Sequence, residues 1–248
     1  MAGGWRTLEG PAGTLRVYAS PPSALQGVPV LVVCHELPRE APGATDAGRA
    51  YPSLVDRLAE QCGCRVVAGM LRGAGGSAGD FSGEGWLEDV AAVDDEEAGL
   101  GGELWLVGFG LGAAIALRAA ARDVRVRGVA SVAGPADLSA WVADRTRVLE
   151  RCRRSHVIST PGFPPDVEAW AAELVELYPL EAAAQLGDRP LLVVHGSNDA
   201  EVPAAAARAL ADAASGPVDL RIVPGAGHWL RADPRVVATL VGWLERHR

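Results

Sequence analysis

The stretch Glu103-Leu-Trp-Leu-Val-Gly-Phe-Gly-Leu-Gly-Ala-Ala-Ile-Ala-Leu117 decides the architecture. Leu104 to Val107 is a short apolar run and reads as a buried strand; Gly108, Gly110 and Gly112 then make a sharp corner, and Leu111 to Arg122 reads as an apolar helix. Strand, tight corner and helix in immediate succession predict an α/β fold.

The surrounding chain extends that unit in both directions. Residues 5 to 19 read as two short antiparallel strands around the Gly10-Pro11-Ala12-Gly13 turn. Val28 to His35 is a β-branched run of the kind covered on both faces. His35-Glu36-Leu37-Pro38 opens a loop to about residue 48, and Tyr51 to Gln61 carries helical periodicity. Cys64 to Met70 is a strand, followed by the glycine-rich loop Arg72 to Gly79. That loop is not a phosphate cradle, which would need a lysine. Glu84 to Ala98 reads as an acidic amphipathic helix with a solvated face, and Val126 to Ala133 as another buried strand. After the irregular stretch 134–187 the alternation resumes: strand Pro190 to His195, helix Pro203 to Ala214, strand Val218 to Val223, helix Pro234 to Arg246. The prediction is a mostly parallel central sheet with helices on both faces. Residues 1–133 and 188–248 form the core; 134–187 form a small helical cap holding Trp141, Phe163, Trp170 and Tyr178.

Composition narrows the function classes. The chain has 248 residues, 49% hydrophobic and 22% charged, enough to build one core without a partner. A net charge of −8 argues against a nucleic-acid surface or an anionic membrane as partner and leaves small neutral or cationic substrates open; a small-molecule substrate and a monomer or homodimer are expected. The N-terminal residues lack a signal pattern and no apolar run approaches a membrane span, so a cytoplasmic location is expected. Four cysteines with no metal-binding spacing, Cys62 and Cys64 too close for an easy bridge, are expected to be reduced, with no metal site. All 23 basic residues are arginine, which excludes a lysine Schiff base and with it pyridoxal phosphate; no cofactor is expected.

Three segments carry chemistry. Gly108-Phe109-Gly110-Leu111-Gly112 has the frame of a Gly-x-Ser-x-Gly elbow, which raises a serine Oγ above the sheet, but Gly110 stands at the serine position. His195-Gly196-Ser197-Asn198-Asp199 places Asp199 just past a strand end, and Gly225-Ala226-Gly227-His228 places His228 after the next strand. Elbow, acid, histidine is the α/β-hydrolase order. From about residue 13 to the end the chain resembles that superfamily, and most closely small actinobacterial α/β-hydrolase proteins, where His-Gly-Phe-Pro, Arg-Gly-x-Gly-x-Ser, Gly-Phe-Ser-x-Gly-Gly, His-Gly-Ser-x-Asp and Gly-x-Gly-His stand at similar intervals.

The resemblance implies that Asp199 holds the Nδ1 proton of His228, that His35 and His195 are scaffold, and that the backbone N–H groups of Leu37 and Leu111 are oxyanion-hole donors. It implies a substrate site under the cap, with Phe109, Trp141, Phe163, Trp170 and Trp229 as candidate substrate-binding residues. Two departures weigh against a serine esterase: Gly110 removes the nucleophile, and Glu36 puts a carboxylate beside Leu37 where the family has glycine. Glu36 either turns to solvent, pairs with Arg39, or enters the cleft, where burial would favour its protonated form and make it a third catalytic group. Cys34, inside a strand, is expected to be inert.

The expected function is non-hydrolytic acid–base chemistry by His228 and Asp199 on a small, largely apolar metabolite: addition or elimination, cyclisation or C–C bond formation, in secondary-metabolite biosynthesis. The alternatives are a hydrolase in which His228 activates water directly, a serine esterase whose nucleophile has been replaced by glycine, and a non-catalytic small-molecule binder.

Overall fold

A computed structural model describes residues 3–21, 28–38 and 43–248, the side chains of 43–46 excepted. Eight strands form one sheet in the order β1-β2-β4-β3-β5-β6-β7-β8. The outer hairpin of β1 (Gly4–Gly10) and β2 (Gly13–Ala19) is antiparallel and joins β4 (Arg65–Met70) antiparallel; the pairs from β4 through β3 (Val30–Cys34), β5 (Leu104–Phe109), β6 (Val126–Val132), β7 (Leu191–Gly196) and β8 (Val218–Val223) are parallel. Parallel strands need crossovers, and the helices that supply them cover both faces, so the β-branched runs of β3 to β7 are buried on either side.

One face packs α1 (Gly43–Cys62) and α9 (Pro234–His247) over Leu31, Val33, Trp105 and Val194. The other packs α2 (Gly83–Gly99), α3 (Leu111–Arg122) and α8 (Ala204–Ala213) over Val32, Leu106, Val129 and Val193. Between β6 and β7 lie α4 (Ser139–Val142), α5 (Arg145–Arg154), α6 (Val167–Val175) and α7 (Pro179–Ala184). The first three pack on one another, whereas α7 packs against α3 and α8 in the layer that covers the sheet. No described helix is long and apolar enough to cross a membrane.

Three expectations are corrected. The helix expected from Tyr51 begins at Gly43, with Pro52 inside it, so the loop after Pro38 is shorter than the proline and glycine content suggested. The acidic residues of α2 are only partly solvated: Glu84, Glu88 and Asp95 are exposed, but Asp89, Asp94 and Glu97 are buried. Arg72 donates to Asp89 from its backbone and its guanidinium, and Arg6 and Arg65 converge on Glu97, so distant arginines compensate the burial of Asp89 and Glu97. Asp94 is raised well above the usual carboxylate range by burial. Cys62 and Cys64 are joined in a disulfide; Gly63, at φ 61°, turns the chain back at the end of α1 and brings the two Cα atoms to 5.3 Å. Cys34 and Cys152 are free and buried.

Candidate active site

The C-terminal ends of β3, β5 and β7 point to one edge of the sheet, where ligands bind in open α/β folds. The corner after β5 is the tightest point. A Cβ on Gly108 would stand 2.1 Å from the Gly112 carbonyl oxygen, and one on Gly112 2.4 Å from that of Cys34, so these glycines let α3 lie directly on β3 and β5. Gly110, between them, has φ 54° and ψ −123°, a conformation costly to residues with a side chain, and its N–H is held by the Val132 carbonyl at 2.9 Å.

Asp199 follows β7, and its side chain is wholly buried. One carboxylate oxygen accepts the N–H groups of Glu201 (2.9 Å) and Val202 (3.0 Å); the other accepts from Nδ1 of His228 at 2.8 Å. With Nδ1 donating, Nε2 of His228 carries the lone pair. It faces the corner, 3.4 Å from the point where a Cβ on Gly110 would stand.

His195 is scaffold: buried, it donates from Nε2 to the Val202 carbonyl at 2.8 Å and lies 3.2 Å from Asp199, fixing that loop. His35 is scaffold too. Its Nδ1–H donates to the Glu36 carbonyl (2.9 Å), while Nε2 accepts the Leu71 N–H (3.0 Å); complete burial lowers its pKa to about 4, so it stays neutral. Cys34 is buried in β3, and burial pushes its thiol pKa up, which disfavours the reactive thiolate.

Glu36 enters the cleft. Its N–H donates to the Tyr51 hydroxyl at 2.9 Å, and its carboxylate is paired with the Arg231 guanidinium. Its Cβ lies 3.2 Å and its Oε2 3.9 Å from the Cβ point of Gly110, so the carboxylate and the imidazole bracket the same empty corner. Burial of Glu36 would favour its protonated form, and the paired Arg231 guanidinium acts in the opposite sense. Arg39, the other partner considered, lies outside the described residues. Arg231 was missed by sequence reasoning; its only local signal is its place three residues beyond His228. Its guanidinium also stacks over Trp229, 4.7 Å from the ring centroid.

A cavity of about 600 Å³ opens onto the corner. Leu37, Leu111, Leu138, Trp141, Val202 and Pro203 give it an apolar wall, and Glu36, Asp137, Arg151, Glu201 and His228 supply its polar groups. Among the described residues no group of three His, Cys, Asp or Glu side chains could hold a metal ion.

Of the five aromatics expected to bind substrate, only Trp141 lines this cavity. Strand alternation sends Phe109 to the α1 face, against Tyr51. Trp170 is sealed in the core beside Phe81, its indole N–H on the Phe81 carbonyl at 3.0 Å. Phe163 packs onto the same core from its loop, and Trp229 turns outward, 48% exposed, against Arg231. Tyr178, also counted with the cap aromatics, is exposed.

This layout can be set beside known proteins. The sequence profile of the alpha/beta hydrolase family matches residues 30–240. The chain belongs to that family. Similar solved structures include an alpha-beta serine hydrolase homologue from Coxiella burnetii (24% identity, 99% of this chain and 97% of that one, TM-score 0.65). They also include a serine hydrolase without a lid from Xanthomonas campestris (25%, 100% and 94%, TM-score 0.62) and Est1E from Butyrivibrio proteoclasticus (16%, 98% and 98%, TM-score 0.72). No curated protein matches the chain. The hydrolase fold therefore extends over the whole length, and the chemistry has to be argued from this chain's own side chains.

Proposed function

We propose that this chain is a hydrolase-fold enzyme that moves protons on a small, largely apolar metabolite and forms no acyl-enzyme. One observation carries the reading: Nε2 of His228, backed by Asp199, faces the Cβ point of Gly110 at 3.4 Å, so a base is aimed at an elbow position that has no hydroxyl or thiol. Neutral His228 takes a proton from a C–H or O–H of the bound molecule. Asp199 stabilises the imidazolium that forms, and the charged Glu36 across the corner adds to that. The same proton then returns to a leaving oxygen, completing an elimination, or to a carbon, completing an addition, a cyclisation or a C–C bond formation. The enzyme ends as it began, and the overall electron count is unchanged.

Glu36 favours this over hydrolysis. Leu37 and Leu111, whose backbone N–H groups the family resemblance makes oxyanion donors, line the cavity with Glu36, so a tetrahedral oxyanion held between them would form beside a carboxylate. Direct attack by water activated at His228 meets the same obstacle as attack by serine. An aliphatic and aromatic wall suits a metabolite of the kind tailored in secondary biosynthesis.

The test uses a panel of ketones and β-dicarbonyl compounds in D₂O, with deuterium uptake at carbon followed by NMR. The native protein should accelerate exchange for members that fit the cavity and His228→Ala should not; it should neither hydrolyse activated esters nor be labelled by a fluorophosphonate. Labelling or ester turnover by the native protein would overturn the reading. Exchange no faster than in His228→Ala across the panel would favour the non-catalytic binder.

A further inference from the structure

The cavity holds a second polar feature that proton transfer does not use. Arg151, in the last turn of α5, lines the wall with Leu138 and Trp141. Its neighbours Arg153 and Arg154 are exposed, and Arg153 is engaged at the Phe163 carbonyl, 3.1 Å away. Arg151 forms no ion pair with any described residue.

The acids that share the cavity do not neutralise it. Glu36 is paired with Arg231. Asp137 accepts the backbone N–H and hydroxyl of Ser139, at 3.0 and 2.8 Å, and is exposed. Glu201 is exposed at the rim. Burial is the main influence on the Arg151 guanidinium and acts against its charge, as do Arg154 and Arg147 on the same helix, with Glu36 a lesser opposing influence. A guanidinium cannot shed its proton to relieve this, so the cost of desolvating it persists until an anion arrives.

We infer that Arg151 is the anion-recognition residue of the cavity and that the molecule bound beside His228 carries a carboxylate. The planar fork of donors suits a bidentate carboxylate, and the apolar wall around it suits the hydrocarbon or aromatic body of an organic acid. One end of the ligand is tethered at Arg151 and the body lies along Leu138 and Trp141. This deepens the proposed function by naming its substrate class, but binding at Arg151 can be measured whether or not His228 turns anything over.

Calorimetric titration with a panel of aliphatic and aryl monocarboxylates of three to twelve carbons, each paired with its primary amide, tests the assignment. In the native protein the best-bound carboxylates should bind at least tenfold more tightly than their amides. Arg151→Gln should abolish that preference while keeping amide binding, and Arg151→Lys, which retains a point charge without the fork, should reduce it at least threefold. His228→Ala should keep the full preference. If no panel member is preferred over its amide, or if the preference survives in Arg151→Gln, the assignment is wrong. Should Arg151→Gln not fold, Arg151→Lys decides, an unchanged preference ratio overturning the proposal. Carboxylate preference without deuterium exchange would leave Arg151 in place and remove the catalytic role of His228.

Discussion

Two carboxylates bound the same corner and are held in opposite ways. Asp199 has no exposed side-chain surface; two backbone N–H groups and the imidazole take its oxygens, so the loop itself dictates where His228 points. Glu36 is partly exposed, and its carboxylate pairs with a long side chain, Arg231, that comes from another part of the chain. The first arrangement is rigid and built from backbone. The second is built from side chains. The difference teaches that the orientation of His228 is fixed by the backbone of the fold, whereas the surroundings of Leu37 and Leu111 are shaped by side chains that substitution can change.

The largest expected effect tests the rigid half. His228→Ala and Asp199→Asn should each lower the deuterium-exchange rate by about 10² to 10⁴-fold, the usual worth of a general acid–base group. The double variant should be little slower than either single, since the pair acts as a unit; additive losses would show that the two act separately.

The next effect concerns His35, which anchors the Glu36 loop. Its pKa is about 4 in the fold against an ordinary 6.5, so between those values the unfolded chain binds more protons and stability falls as pH falls. The contribution is fully present above pH 6.5 and shrinks by up to about 3 kcal/mol by pH 4. Urea unfolding of the native protein and of His35→Gln from pH 7.5 to 4 should converge over that window; a constant gap would refute the assignment of a neutral, buried His35.

A smaller effect tests whether the altered half can be turned back. Gly110→Ser should gain weak hydrolysis of activated esters, limited because the new Cβ stands 3.2 Å from that of Glu36. The double variant Glu36→Gly with Gly110→Ser should exceed it by about tenfold, roughly 1.4 kcal/mol of barrier, by removing both the crowding and the charge. Equal rates would mean that Glu36 does not oppose an oxyanion.

The smallest belongs to Glu36 itself. Glu36→Gln should slow exchange about tenfold or less, a loss of up to about 1.4 kcal/mol of imidazolium stabilisation, with little change in binding and no loss of a limb from the pH–rate profile. A lost limb would make Glu36 a titrating catalyst and would contradict the pairing with Arg231.

The fold and the Asp199–His228 dyad were legible because their signals are local. A β-branched run, a glycine corner and a histidine after a strand end each declare themselves within ten residues. Glu36 was legible as a departure, though its state was not: Arg231 lies 195 positions away in the chain. The same limit hid the acids of α2, whose charges read as solvated until Arg6, Arg65 and Arg72 arrive from other elements. Arg151 sits among many arginines on a polar helix, and no periodicity separates the one that turns inward. The aromatics misled because a large ring is equally at home in a core and in a cavity wall, as Trp170 and Trp141 show. The bridge between Cys62 and Cys64 turned on the left-handed backbone of Gly63, a torsion that residue identity permits without requiring.

The backbone of Gly110 bears on how such a site changes over generations. Its positive φ and extended negative ψ suit glycine, whereas a residue with a Cβ gives up about 1 to 3 kcal/mol to hold that shape. A change from a side-chain-bearing residue to glycine there would relieve backbone strain. Regaining one is uphill, and steeper while Glu36 crowds the same space. The corner would therefore act as a ratchet: a return from glycine to serine would need reserve stability elsewhere in the fold.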